Sequence, residues 1–368
     1  MKTLLTRATL NRYIAMRVIR SLTIAFLIVT GIIMLVDFVE GSRNIGSDTD
    51  ISSFQLAYLT LLKAPKLIEQ TIPFVVLFGV MGALYGLNRR SELIVMRASG
   101  VSAWRFLLPV IAVTALLGLI WSLLFNPLAS NMMSQYDLLS DSYGGQSSSE
   151  GKTVWLREGN ETMQTVIRAD KVEPESKTLT NPSFYQLSLD ATGRTVFSRR
   201  FDAQEARLVT QGYWQLSNVT ENAPGEITQT QDTISLPTEI TVKQLDEIGD
   251  NKVAPPFWSL PSAIKKNEQA GFSALVFRMQ FNKLLALPIM LIAMTFIAAG
   301  VSTHLTREGG TLRLLITGAA LGFGVYFADS MVSAFGEVAL IPVALAAWSV
   351  PLFVLLTGIS YLSKIEDG

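Results

Sequence analysis

No cysteine occurs in this 368-residue chain. Disulfides, thiolate chemistry and cysteine-based metal sites are therefore excluded, and an oxidising compartment is permitted without being required. Histidine is nearly as scarce, with His304 the only one. One imidazole without a carboxylate pair at ligand spacing makes no zinc site, and a Ser-His-Asp arrangement would have to use that same residue. Catalysis in this chain itself is not expected, and neither is a metal, a cofactor or a nucleic-acid partner. Charge is sparse as well. Charged residues make up 16% of the chain against 49% hydrophobic ones. The mean hydropathy of +0.36 is too high for an ordinary soluble enzyme of this length.

The apolar residues gather at the two ends of the chain, while residues 126–271 read as a normal polar sequence. Six stretches are long enough to span a hydrocarbon core, at about 21–39, 68–87, 106–125, 281–300, 312–331 and 340–361. The first follows Lys2, Arg7, Arg12, Arg17 and Arg20, in the manner of a signal peptide. No small-x-small cleavage site follows it, so it reads as a retained helix. Pro65 and Pro73 predict a kinked or irregular outer end for the second. Short connections rich in Lys and Arg resist translocation. Arg89, Arg90, Arg97 and Arg105 separate spans two and three, and Arg307 and Arg313 separate four and five. Residues 37–51, by contrast, hold four acids against Arg43. Both termini are thereby expected in the cytoplasm, with the middle of the chain outside.

That middle region alternates with a period of two and carries turn signals. Tyr185, Leu187 and Leu189 share one face, and 190–193 supplies a turn. Further candidate strands fall at 154–156, 165–168, 194–197, 205–209, 213–219, 226–231 and 239–242. About eight short strands point to a sandwich or jelly roll. The expected fold is a polytopic α-helical membrane protein, three spans on each side of an inserted all-β domain. Its divisions are 1–135 for spans one to three, 136–260 for the β domain, and 261–368 for a linker and spans four to six.

Gly145-Gln-Ser-Ser-Ser-Glu-Gly151-Lys152-Thr153 looks like a phosphate loop but has five residues between its glycines where four are needed. A Gly/Ser-rich connector into the β domain is the better reading. Charges within or beside the spans say more, because each needs a partner or a wet cavity in lipid. At a rise of about 1.5 Å per residue, Lys66 lies about 31 Å from Leu87, Asp37 about 25 Å from Arg20, and Asp329 about 24 Å from Arg313. Asp37, Lys63, Lys66, Glu69 and Asp329 therefore share outer-leaflet depth. They either cap helix ends at the interface or rim a cavity for an amphiphile with a charged head. Gly79, Gly82 and Gly86, and Gly318, Gly322 and Gly324, mark close helix approach, within the chain or between subunits.

The most distinctive segment is Arg90-Ser91-Glu92-Leu93-Ile94-Val95-Met96-Arg97-Ala98-Ser99-Gly100. Leu93, Val95 and Met96 with Glu92 and Arg97 describe a short amphipathic helix that Gly100 stops. It either rests on lipid headgroups or docks into a groove of another protein. Here, together with Gly31-Ile-Ile-x-x-Val-Asp37, Leu61-Leu-x-x-Pro65-Lys66, and Arg313 with Gly318, Gly322-Phe323, Tyr326 and Asp329, the chain resembles the LptF/LptG family of lipopolysaccharide-export permeases, the LptG branch more than its paralogue.

The resemblance implies a permease subunit of an ABC-type transporter. Its partners would be an LptF-type paralogue, a cytoplasmic LptB-type ATPase dimer and an LptC-type protein, and its cargo lipopolysaccharide drawn from the outer leaflet of the bacterial inner membrane. It implies contact with the ATPase at residues 91–100, with Arg90, Ser91, Glu92, Leu93, Met96 and Gly100 the coupling residues and Glu92 the polar anchor. Lys66 would meet the lipid's phosphate-bearing head, and Asp37 and Asp329 would border gates formed by spans one and five; Lys63 is a further cavity or gate candidate from its depth alone. Met34 stands where the family has a lysine, and Ser134 and Asp137 where it has basic residues. A less phosphorylated head is the corresponding expectation. The residues taken alone also admit a non-transporting scaffold or sensor whose β domain binds an envelope partner. An ion-coupled secondary transporter fits less well, since no inverted repeat of broken helices is evident.

Overall fold

The computed structural model describes residues 2–44, 52–142, 154–159, 163–173, 176–189, 195–209, 212–225, 227–238, 240, 255–269, 273–304 and 311–367. Helix α1 (Lys2–Asn44) is followed by α2 (Ser53–Arg89), the short α3 (Glu92–Ala98) and α4 (Ala103–Ile120). A π-helical turn (Trp121–Phe125) carries α4 directly into α5 (Asn126–Ser142). After the β strands come α6 (Leu260–Gln269), α7 (Leu275–His304), α8 (Thr311–Glu337) and α9 (Val343–Asp367). Among the described residues, six helical stretches are long and apolar enough to cross a membrane: Thr9–Arg43, Ser53–Arg89, Ala103–Ser140, Leu275–Ser302, Leu312–Glu337 and Val343–Lys364. All six expected spans are present, and most run beyond the apolar run that announced them, because a helix continues into polar sequence as long as its backbone stays paired.

Two local features bear on the expected spans. Helix α2 runs as one helix through Pro65 and Pro73. In a bundle, neighbouring helices and packing tolerate the backbone groups that a proline frees. Its start is fixed by a capping box, in which Ser52 Oγ accepts from the Gln55 N–H and the Gln55 side chain accepts from the Ser52 N–H. The helix of span three continues past Phe125, through the π turn and α5, to Ser142. The sequence from Asn126 is more polar than the run before it, yet its helical backbone continues.

The chain forms two compact units: Met1–Leu139 with Pro256–Pro261 and Leu275–Gly368, and Ser140–Pro255 with Ser262–Ala274. In the first, α2 and α7 supply the interior. Ile72, Val76, Leu77, Val80 and Leu84 of α2 and Leu291, Met294 and Ala298 of α7 are buried with Phe106, Leu107 and Val110 of α4. Glycines permit close crossings. A Cβ at Gly79 would stand 2.7 Å from Leu22, and one at Gly118 would stand 2.6 Å from the Cα of Pro288.

The strands of the second unit form one antiparallel sheet. Its strands are β1 (Val154–Gly159), β2 (Met163–Ala169), β3 (Lys171–Glu173), β4 (Thr178–Thr180), β5 (Ser183–Leu189), β6 (Thr195–Asp202), β7 (Glu205–Val209), β8 (Tyr213–Asn222) and β9 (Gln229–Pro237). The order is β1-β2-β5-β6-β8-β7-β4-β3, with β9 also on β8. Besides β9, strand β8 serves two neighbours in turn. Residues 213–217 pair with β7 and 220–222 with β6, and the change falls at Asn218, whose φ of 53° suits an Asn better than most side chains. Ile167, Phe184, Phe201, Leu208, Trp214, Leu216 and Val219 form the core that the sheet encloses. The expected jelly-roll-like architecture is thus present. Short β3 and β4 carry too few alternations to be read from sequence, and the strand expected to begin at 226 starts at Gln229. The turn at 190–193, most of 239–242 and the loop 145–153 lie outside the described residues.

Candidate functional site

The charged residues expected at one depth fall into three groups, each bridging helices or turns of the first unit. Lys63 Nζ on α2 donates to Asp37 Oδ1 on α1 at 2.6 Å. Both side chains are largely covered, at 32% and 13% exposure. One turn further along α2, Lys66 Nζ donates to Glu69 Oε1 at 3.3 Å. On the other side of the bundle's sequence, Asp329 on α8 pairs with Lys283 on α7 at 3.6 Å. A charge exposed to lipid without a partner is costly, so these pairings account for charges that hydropathy alone leaves unexplained. Lys283 was not a sequence candidate. It sits in the apolar run of span four, where the only available signal was the same lone-charge argument that singled out Asp329.

Glu69 has a second partner. Asn126 Nδ2 donates to both of its carboxylate oxygens, at 3.2 and 3.1 Å. The same amide's Oδ1 accepts the backbone N–H of Phe257 at 2.9 Å. Nearby, Trp258 Nε1 donates to the carbonyl of Leu123 at 3.0 Å, and Ser122 Oγ donates to that of Leu284 at 2.7 Å. Local sequence explains why these carbonyls and this amide are available. Pro127 has no N–H to give Leu123 four residues back. The Asn126 N–H instead reaches Trp121 in π register, which rotates the residues around it relative to a regular helix.

At the far end of α2, Arg90 and Ser91 make the turn into α3, Ser91 with a φ of 57°. Helix α3 closes in a Schellman motif: the Gly100 N–H bonds the Arg97 carbonyl at 2.9 Å and the Val101 N–H bonds that of Met96 at 3.1 Å. Gly100 sits at φ 82°, a conformation glycine adopts freely. Leu93 is buried and Met96 packs on the bundle core, leaving Ile94 and Val95 outward and well exposed. Glu92 Oε2 accepts from the Tyr13 hydroxyl at 2.8 Å, and Arg17 Nη1 donates to that hydroxyl oxygen at 3.2 Å. Glu92 is thus engaged with α1, and the outward face of α3 is made by Ile94 and Val95. Tyr13 and Ile94 were missed. His304 ends α7, and Arg307 lies outside the described residues.

In the β domain, Arg200 Nε donates to Asp202 Oδ1 at 2.8 Å, and its guanidinium stands 5.2 Å from the centroid of the Tyr185 ring. The hydrogen bond to Asp202 raises its pKa above the ordinary arginine value. Among the described residues no group of three or more His, Cys, Asp or Glu side chains is placed to hold a metal ion.

Six membrane-length helices interrupted by an antiparallel β domain, with ion pairs bridging the helices, define a polytopic membrane protein with an inserted β module. Residues 12–364 match the profile of lipopolysaccharide export system permease LptF/LptG, and the chain belongs to that family of permeases. It is 24% identical over 349 residues to the lipopolysaccharide export system permease protein LptG of Escherichia coli strain K12, covering 90% of this chain and 91% of that one. LptG of Escherichia coli O6:H1 matches to the same extent. LptG of Haemophilus influenzae is 32% identical over 118 residues, 30% of this chain and 32% of the relative.

Proposed function

We propose that this chain is the LptG-type half of a transporter that extracts lipopolysaccharide from the outer leaflet of the bacterial inner membrane and passes it, through its β domain, to a periplasmic bridge. In this reading both termini and α3 face the cytoplasm, an LptF-type paralogue completes the transmembrane pathway, and an LptC-type protein receives the lipid. ATP hydrolysis belongs to a separate LptB-type dimer. Lys66 meets the lipid head, and Lys63, Asp37 and Asp329 line the cavity or gate beside the moving spans.

The observation that carries the reading is the division of labour in α3. Its Leu93 and Met96 are rooted in the bundle while Ile94 and Val95 stand outward. A rigidly rooted helix with an outward apolar edge passes a push from a partner into the spans. Glu92 and Tyr13 join that push to α1. Val95→Asp places a charge on the outward edge without touching the bundle core, so the purified chain should melt as the wild type does while recovery of the ATPase subunit from membranes falls at least about tenfold, the factor of a buried charge at an interface. Equal recovery of the ATPase with Val95→Asp argues against this role for α3.

A further inference from the structure

We propose that Asn126 is a positioning residue for Lys66, and the point at which the chain returning through Phe257 is held in register with span two. The proposal rests on the reading of Lys66 as a lipid-head contact and extends it to a residue outside the cavity. Four observations carry it. Asn126 is only 2% exposed, so each of its polar atoms needs a protein partner. Its donors reach both oxygens of Glu69, and its acceptor takes the Phe257 N–H. The amide cannot be flipped in this setting, since a carboxylate only accepts and a backbone N–H only donates. Glu69 in turn accepts from Lys66.

The consequence is geometric. Lys66 has a flexible stem, and a carboxylate free to rotate would not fix its ammonium. Clamped by Asn126 through two oxygens, Glu69 holds one orientation and offers Oε1 to Lys66. Phe257 is packed with Leu260 and Leu284 and stacks on Phe281 at 5.4 Å, and Trp258 is tied to Leu123. The anchor is therefore a folded joint rather than a loose strand. A displacement of residues 257–258 is transmitted through one side-chain amide to the carboxylate beside the lipid-facing lysine.

The test uses the complete transporter in proteoliposomes containing lipopolysaccharide, with a photo-activatable residue at Gln70, which is exposed one helical turn from Lys66. Asn126→Asp keeps an acceptor for Phe257 but replaces the donors to Glu69 with a like charge. Crosslinking should then need about tenfold more lipid for half-maximal yield, the factor set by loss of one charge-assisted hydrogen bond, while lipid-free ATP turnover stays unchanged. Adding Glu69→Gln to Asn126→Asp restores a donor and acceptor across the same gap, and most of the lost capture should return. Capture by Asn126→Asp equal to wild type overturns the proposal. So does a defect that Glu69→Gln leaves uncorrected and that matches a fall in melting temperature, because that marks a packing role only. Lys66→Ala in the same assay separates the two readings. If it captures lipid normally, the cargo reading of Lys66 fails; if it is defective while Asn126→Asp is not, only the positioning proposal fails.

Discussion

Spans two and four bury most of their apolar side chains, and spans one and five expose theirs, although all four read alike as hydrophobic runs. Helix α2 hides Ile72, Val75, Val76, Leu77 and Val80, whereas α1 leaves Leu27, Ile28, Ile32, Leu35 and Val36 uncovered, and α8 leaves Ile316, Leu321, Phe323 and Phe327 uncovered. In water such faces would mark a binding surface or an aggregation site. In lipid they cost nothing, because the tails are as apolar as leucine, and helix association depends on close packing and polar contacts instead. The inner helices are accordingly joined by packing, and the outer ones add ion pairs, Asp37 to Lys63 on one side and Asp329 to Lys283 on the other.

The contrast is broken most severely at a glycine of span three packed against the inner span four. A Cβ at Gly118 would meet the backbone of Pro288, which cannot rotate away, whereas nothing stands within 4 Å of one at Gly324 on α8. Gly118→Leu should lower the stability of the detergent-purified chain by about 3 kcal/mol and Gly324→Leu by less than about 0.5 kcal/mol, as read from thermal unfolding. Gly318 and Gly322 should fall between, since their neighbours Met81, Leu77 and Phe74 are side chains that can shift.

A smaller effect separates charge from packing on the outer helices. Asp37→Asn leaves the Lys63 ammonium without its counter-charge and should cost about 1–2 kcal/mol, discounted for the third of Lys63 that stays exposed. The double change Asp37→Leu with Lys63→Met should recover most of it, because no charge is then left unpaired. A double-mutant cycle that finds no coupling would make the pair incidental.

The smallest effect belongs to the β domain. Arg199 and Glu221 meet at 2.7 Å, but Arg199 is nearly half exposed to water. Arg199→Ala should change thermal stability by no more than about 0.5 kcal/mol. A cost as large as that at Asp37 would remove the distinction between a bridge in lipid and one in water.

Much of this arrangement is legible in the amino-acid sequence. Long apolar runs announce spans because a helix is one of the few backbones that satisfies itself in hydrocarbon, and period-two alternation announced strands such as β7 and β8. Gly100 was readable as a helix stop because its chemistry is local. Asn126 was not, since an Asn before a Pro reads as the end of a helix, and only the π turn and the distant Phe257 reveal it as a buried joint. Lys283 and Tyr13 were missed for the same reason: their partners lie 46 and 79 residues away.

The amino-acid order by itself determined how many helices are apolar enough to span a membrane, where the β module interrupts them, and where the α3 turn begins and stops. These depend on hydropathy, period and backbone preference, which act over a few residues. Tertiary structure decided which spans form the interior, which lysine answers which carboxylate, and which edge of α3 faces outward. Those outcomes depend on side chains distant in sequence meeting within about 3–4 Å, a range over which hydrogen bonds and ion pairs act and local pattern carries no information.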